Sequence, residues 1–266
     1  MANIAMKMNL KLGNINHSVI YAKAPFVNKQ NQFDTIVLGA DVTHTGANAT
    51  PATPSLAAVV GSVESTFGKF LGSMRTQEAN TEIIDNLRDM VIERLRAWRE
   101  ANGGRLPSKI LYYRDGVSEG QYLAVREKEI TQIKTAYYQM QAAQISKQEP
   151  QITAIVVTKR HHTRFYPSPE CEMTKKGNCI PGTVVDSGIT NPVYFDFFLQ
   201  SHDALEGTAK PTYYFVLENG MRFTAQQLQD FTHALCHTYV RATKSVSYAP
   251  PAYYADRLCE RGRCYI

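Results

Sequence analysis

Tyr113-Arg114-Asp115-Gly116-Val117-Ser118-Glu119-Gly120-Gln121 follows the apolar run Ile110-Leu111-Tyr112 and precedes a helical pattern. A strand thus delivers Asp115 to its C-terminal tip, where open α/β sheets place their ligand sites. Residues 33–40 read as a second buried strand, which ends at Asp41 in Gly39-Ala40-Asp41-Val42-Thr43-His44. Two aspartates at two strand tips, with no Cys/His cluster nearby, predict a site for hard divalent cations and phosphate chemistry.

The flanking sequence supplies the rest of a sheet. Residues 55–65 and 69–76 read as strands, and 42–54, rich in Thr, Ala, Gly and Pro, as a loop. Ile83, Ile84, Leu87, Met90, Val91, Leu95 and Trp98 recur at helical spacing. They predict a helix over 80–101, with Asn80 as its N-cap and Gly103-Gly104 as its stop. Strands follow at 108–114 and 152–158, separated by a helix over 119–144. Residues 159–192 are mostly loop, 211–217 an aromatic strand, 226–241 a helix and 253–259 a short final helix. At the other end, residues 3–12 alternate in hydropathy and carry Lys7 and Lys11, and 13–32 are linker-like. Adjacent early strands followed by alternating helix and strand describe an α/β protein with a mixed sheet flanked by helices. An RNase H-like arrangement fits this order, as does a generic doubly wound fold.

Composition narrows the class. A chain of 266 residues with 44% hydrophobic and 20% charged residues can bury one large α/β core. The net charge of +5 is too weak by itself to demand a nucleic-acid partner. Its distribution says more: Lys159, Arg160, Arg164, Lys175 and Lys176 cluster, and Arg241, Lys244, Arg257, Arg261 and Arg263 crowd the C-terminal end. Five cysteines without a CxxC argue against a disulfide framework or zinc site and for reduced cytosolic thiols. No apolar run approaches the ~18 residues of a membrane span. The abrupt start suggests a segment cut from a longer protein.

Each candidate side chain also has an ordinary structural role. An Asp after a strand starts turns or caps helices, so either aspartate alone reads as structural and only the pair suggests a site. Glu82, read in the first turn of the 80–101 helix, suits the helix dipole. Asp256, among basic residues, reads as a salt-bridge partner. Residues 116–120 match the GxSxG nucleophile elbow, which makes Ser118 a candidate hydrolase nucleophile with His233 or His237 as base. The plainer role of Ser118 is a helix N-cap. Lys159-Arg160-His161-His162-Thr163-Arg164 is either a phosphate-contacting segment or a solvated basic loop. The mixed run from His237 to Ser247 suits a nucleic-acid backbone or a helix terminus.

Taken together and in order, these segments resemble the PIWI domain of eukaryotic Argonaute proteins. The resemblance rests on residues 39–44, 113–121 and 159–164, on Cys236-His237-Thr238-Tyr239-Val240-Arg241, on Ser245-Val246-Ser247 and on Ala252-Tyr253-Tyr254-Ala255. It implies an RNase H-like fold over 33–266, with residues 1–32 as the C-terminal tail of a MID domain and a linker. It implies guide-directed cleavage of RNA by two-metal hydrolysis with Mg²⁺ or Mn²⁺. Asp41 and Asp115 then match the two central metal-binding aspartates, Glu82 the mobile glutamate and Asp256 a fourth position where several animal members carry His. By the same matching, Lys7, Lys11 and Arg261 fall on guide 5′-phosphate contacts. Lys159, Arg160, His162, Arg164, Lys210, Tyr239, Arg241, Ser247 and Tyr253 fall on guide-backbone contacts. Lys210 stands where some members have Arg, and a lysine offers charge without a bidentate fork. The implied partners are a small guide RNA, a complementary target RNA, the N, PAZ and MID domains and tryptophan-containing peptides, in a cytoplasmic setting. A guide-binding module that does not cleave, and a serine hydrolase using Ser118, are the alternatives.

Overall fold

The structure, a computed structural model, describes residues 2–44, 53–141 and 148–265. The strands β1 (Thr35–Thr43), β2 (Ser55–Ser62), β3 (Phe70–Gln77), β4 (Lys109–Asp115), β5 (Gln151–Thr158), β6 (Thr183–Val185), β7 (Asp196–Gln200) and β8 (Thr212–Asn219) form one sheet. Their order is β3-β2-β1-β4-β5-β8-β7-β6. The central trio β1, β4 and β5 is parallel, and the remaining neighbours pair antiparallel. The sheet is therefore mixed, and the chain has the RNase H-like fold.

Helices cover both faces, so central strands read as nearly continuous apolar runs. Ile36, Leu38, Ala40 and Val42 of β1 pack with Tyr112 against α2 (Leu87–Ala101) and α4 (Ile130–Met140). Val37, Leu111 and Tyr113 point the other way, toward α5 (Ala225–Cys236) and α6 (Pro250–Gly262). Side chains alternate across a strand. Asp41 and Asp115 therefore share the α6 face, and Arg114 faces the α2/α4 side. The register pairs Ala40 with Arg114, which sets Asp41 and Asp115 side by side at the same sheet edge.

One glycine makes the α6 layer possible. A Cβ on Gly39 would lie 2.1 Å from the carbonyl carbon and oxygen of Pro251. The first turn of α6 thus rests directly on β1. Pro250-Pro251 occupies the first helical positions, where a missing N–H costs nothing. That start, and Gly262 at the far end, extend the expected 253–259 helix in both directions.

Several boundaries differ from the sequence reading. The period-2 pattern of residues 3–12 is carried by the helix α1 (Ala2–Lys11). Alternation also contains the i, i+4 spacing, so Ile4, Met8 and Leu12 line up on an exposed face. α2 begins at Leu87 instead of residue 80: Asn80 adopts φ 60°, and side chains hold the next residues in a loop. Gln77 Nε2 donates to the Thr81 and Ile83 carbonyls, and Ile84 N–H donates to Glu129. Glu82 consequently lies in that loop, outside any first helical turn. Gly103 and Gly104, at φ 65° and 80°, do end α2. α5 stops at Cys236, which leaves residues 237–241 as a turn. β6 and β7 were not expected; the five residues of β7 are all buried and too short to show a period. Residues 119–140 are helical throughout, through a 3-10 turn (Glu119–Gln121), α3 (Tyr122–Ala124) and a π-helical turn (Val125–Glu129) into α4. The expected end of that helix, and most of the 42–54 loop, lie outside the described residues. Among the described residues, no helix is long and apolar enough to cross a membrane.

Candidate active site

Four distant segments meet at the edge where β1 and β4 end. Asp41 on β1 is 7% exposed, and Asp115 occupies the tip of β4. Gly116, at φ +89°, turns the chain away. A Cβ there would lie 3.1 Å from Asp41 Oδ1 and 3.5 Å from Glu82 Oε1. Only glycine leaves that space open and adopts that φ readily. Asp256 enters from α6, whose approach Gly39 permits.

The electrostatics tie the carboxylates together. Burial pushes Asp41 well above the ordinary carboxylate range, and Asp115, Asp256 and Glu82 push it further. Burial and then Asp256 lift Asp115 to about 7. Asp256 is raised by burial and by Glu260. Arg114 and Arg160 offset part of the rise at Asp115. Burial, more than the mutual repulsion of the carboxylates, thus sets the rise.

Glu82 is held from both oxygens. Arg114 Nη2 reaches Oε1 at 3.0 Å, and His44 Nε2 reaches Oε2 at 2.8 Å. His44 is held in turn by Ser55, whose Oγ lies 2.8 Å from Nδ1 and accepts from the Asn80 N–H. Arg114 is fully buried and also pairs with Glu129 at 3.2 Å; Glu129 in turn accepts from the Tyr112 hydroxyl at 2.7 Å. A buried Arg flanked by two glutamates is the kind of satisfied network that fixes geometry. Arg114, Glu129 and His44 had no role in the sequence reading. A charged Arg114 inside a buried strand was the available signal.

The donor set is all hard oxygen, with a gap at Gly116. Its chemistry fits a hard divalent cation such as Mg²⁺ or Mn²⁺. Among the described residues, however, no three His, Cys, Asp or Glu side chains are arranged to hold one metal ion. The carboxylates are within electrostatic reach of one another without closing a common coordination sphere.

Ser118 does not form a nucleophile pair. Its Oγ donates to Gln121 Oε1 at 3.0 Å within a capping box, so the structural role holds. His233 and His237 face each other, with Nε2 atoms 3.4 Å apart.

A basic and aromatic strip lies on the same face as Asp256. Tyr253 stacks with Tyr239, at 4.7 Å and 5°, and with Tyr248, at 4.8 Å and 25°. Lys159 sits 5.5 Å over the Tyr248 ring, and Arg257 5.1 Å over Tyr253. Burial lowers Lys159 to about 8. Arg160 and His162 are exposed, whereas His161 turns inward and donates to the Pro211 carbonyl at 3.0 Å. Arg164 is held by the Thr163 carbonyl at 2.8 Å. Lys210 is half-buried, close enough to Lys159 to repel it. The Ser247 carbonyl accepts from Thr212.

Lys7, Tyr239, Arg241, Tyr253 and Arg257 line one cavity of about 330 Å³. The structure thus gathers one expected 5′-phosphate residue with three expected backbone residues and adds Arg257. Lys11 and Arg261 are exposed and are not part of that lining. Arg257 lies four residues after Tyr253 on α6, a spacing the sequence reading left unused.

Comparison with known proteins agrees with this architecture. The Piwi domain family matches residues 1–266. Protein argonaute 18 of Oryza sativa subsp. japonica is 42% identical over 271 residues, covering 100% of this chain and 24% of the rice protein. The C-terminal lobe of a budding yeast Argonaute superposes with a TM-score of 0.92 at 38% identity, covering 99% of this chain and 53% of that one. Kluyveromyces polysporus Argonaute with a guide RNA gives 0.91 at 38% identity, over 99% of this chain and 30% of that one. The chain spans about a quarter of the length of its rice relative. With the mixed sheet, the strand-tip carboxylates and a match along the whole length, this chain belongs to the Piwi domain family.

Proposed function

We propose that this domain is the cleaving part of a guide-directed endoribonuclease acting in RNA silencing. The observation that carries this reading is the meeting of Asp41, Glu82, Asp115 and Asp256 at one sheet edge, beside a strip of cations and stacked tyrosines. Asp41, Asp115 and Asp256 are the residues that would hold Mg²⁺ or Mn²⁺. The bound cation supplies charge neutralisation at the scissile phosphodiester and acidifies water. Glu82, braced by His44 and Arg114, orients the attacking water. Hydrolysis leaves a 3′-hydroxyl and a 5′-phosphate.

The grip on RNA is assigned to the basic strip. Lys159, Arg160, His162, Arg164, Lys210, Arg241 and Ser247 meet guide phosphates, and Tyr239 and Tyr253 contribute from the aromatic stack. Lys7, Lys11 and Arg261 serve the guide 5′-phosphate. Such contacts position a strand without reading it, and base pairing with the guide supplies specificity. The guide RNA bound to the Kluyveromyces polysporus relative supports a guide strand here. Residues 1–32 belong with a MID domain, and N, PAZ and MID domains complete the machinery in the cytoplasm. A second reading is guide binding without cleavage, because loops and further domains also position the target.

The test loads the protein with a defined guide and adds labelled complementary RNA and Mg²⁺, beside Asp115→Ala and an EDTA control. One cut at a fixed distance from the guide 5′ end, absent in both controls, supports the nuclease. Guide and target binding without a cut supports the second reading.

A further inference from the structure

The cations of the 330 Å³ cavity come from three separate elements: Lys7 from α1, Arg241 from the 237–241 turn and Arg257 from α6. One peptide joins them. The Val240 N–H donates to the Tyr254 hydroxyl on α6 at 3.0 Å. The Val240 carbonyl accepts from Asn16 Nδ2 at 2.6 Å. The same Asn16 amide donates to the Met6 carbonyl of α1 at 3.0 Å and accepts from Asn9 Nδ2 at 2.8 Å. Gly13, at φ 85°, ends α1 and turns the chain back so that Asn16 runs beside the helix. His17 adds a parallel tie, donating from Nε2 to the His237 carbonyl at 2.6 Å.

These bonds hold the half-buried side of α1, whose opposite face, with Ile4, Lys7 and Met8, is exposed. Phosphate binding by several cations depends on their spacing, because a phosphate must meet more than one within hydrogen-bond reach. An amide that reaches two elements at once, with both of its polar atoms engaged, sets that spacing directly.

We propose that Asn16, acting through the Val240 peptide and Tyr254, is a positioning residue that assembles Lys7, Arg241 and Arg257 into one RNA-phosphate pocket. The proposal rests on the RNA-binding reading above. Asn16 need not touch RNA itself.

The experiment measures single-stranded RNA affinity and its salt dependence by fluorescence anisotropy, with 5′-phosphorylated and 5′-hydroxyl versions of one sequence. Wild type is compared with Asn16→Ala, Asn16→Gln, Tyr254→Phe and Lys7→Ala, each checked for fold by circular dichroism. Asn16→Ala and Tyr254→Phe should each weaken binding about tenfold. Each should also flatten the salt slope by about 0.7, the value for one lost single-strand phosphate contact. Asn16→Gln should recover part of the loss. Loss confined to the 5′-phosphorylated RNA identifies the terminal phosphate as ligand, and equal loss with both RNAs identifies an internal one. The proposal is overturned if Asn16→Ala and Tyr254→Phe only lower the melting temperature while Lys7→Ala weakens binding. If Lys7→Ala changes neither affinity nor slope, the phosphate reading of the pocket fails, and the proposal with it. Tyr254→Phe removes one oxygen and keeps the test decisive should Asn16→Ala not fold.

Discussion

The carboxylate edge and the tyrosine strip lie on one face yet are built in opposite ways. At the edge, like charges are pressed together on adjacent strand tips and raised in pKa. In the strip, the cations stay partly exposed to solvent, and Lys159 and Arg257 each rest on an aromatic face. The first arrangement is unfavourable by itself and persists only because the sheet, Gly39 and the Arg114 network hold it. The second is favourable by itself and needs only modest support. Strain belongs where charge must be handled chemically, and comfort where a backbone only has to be gripped.

The largest way to break this contrast is at Gly39. A Cβ there meets Pro251 at 2.1 Å, and both atoms it strikes are backbone. Gly39→Leu should therefore cost more than the ~1–3 kcal/mol of ordinary overpacking and detach α6 with Asp256. Loss of the cooperative thermal transition, with Gly120→Ala, where an added Cβ meets nothing within 4 Å, unaffected, is the expected result. Arg114→Met comes next. It leaves Glu82 and Glu129 without their cation and should destabilise by about 3–5 kcal/mol in denaturant unfolding. A midpoint equal to wild type would show that the network is dispensable.

The raised Asp115 gives a signed prediction for metal-free protein. Its pKa stands above the ordinary 3.8, at about 7. The folded state then holds the proton longer than the unfolded state, so stability falls as pH rises between those values. Asp115→Asn removes that cost. In EDTA it should be more stable than wild type at pH 8, by at most about 1.4 kcal/mol per displaced unit. The advantage should vanish well below pH 3.8, where both states are protonated. The smallest effect lies in the strip: Arg241→Ala should weaken RNA binding similarly for all sequences and reduce the salt slope by about 0.7. A sequence-dependent loss would mean that the strip reads bases.

Much of the edge was legible because continuous apolar runs, and the turn residues after them, announce strand tips. Asp41 and Asp115 needed nothing more. Glu82 was placed in a helix because apolar spacing from Ile83 onward is helical; the side-chain bonds from Gln77 and Glu129 that hold it in a loop are tertiary and leave no local pattern. The Arg114–Glu129 pair is likewise a contact across the fold. In the strip, Tyr239, Arg241 and Tyr253 were found through family resemblance. Lys11 and Arg261 each lie one helical turn beyond Lys7 and Arg257, outside the lining of that cavity. Asn16 sits in a stretch that reads as linker, and its function lies in bonds to residue 240.

The central claim is that Asp41, Glu82, Asp115 and Asp256 act as one centre for a hard divalent cation. Mn²⁺ titration followed by electron paramagnetic resonance, on wild type, Asp41→Asn and Asp115→Asn, tests it most directly. Saturable binding that tightens as pH rises through about 7 and is lost in both variants is the expected result. Equal binding in all three proteins, or none in wild type above pH 8, would contradict it.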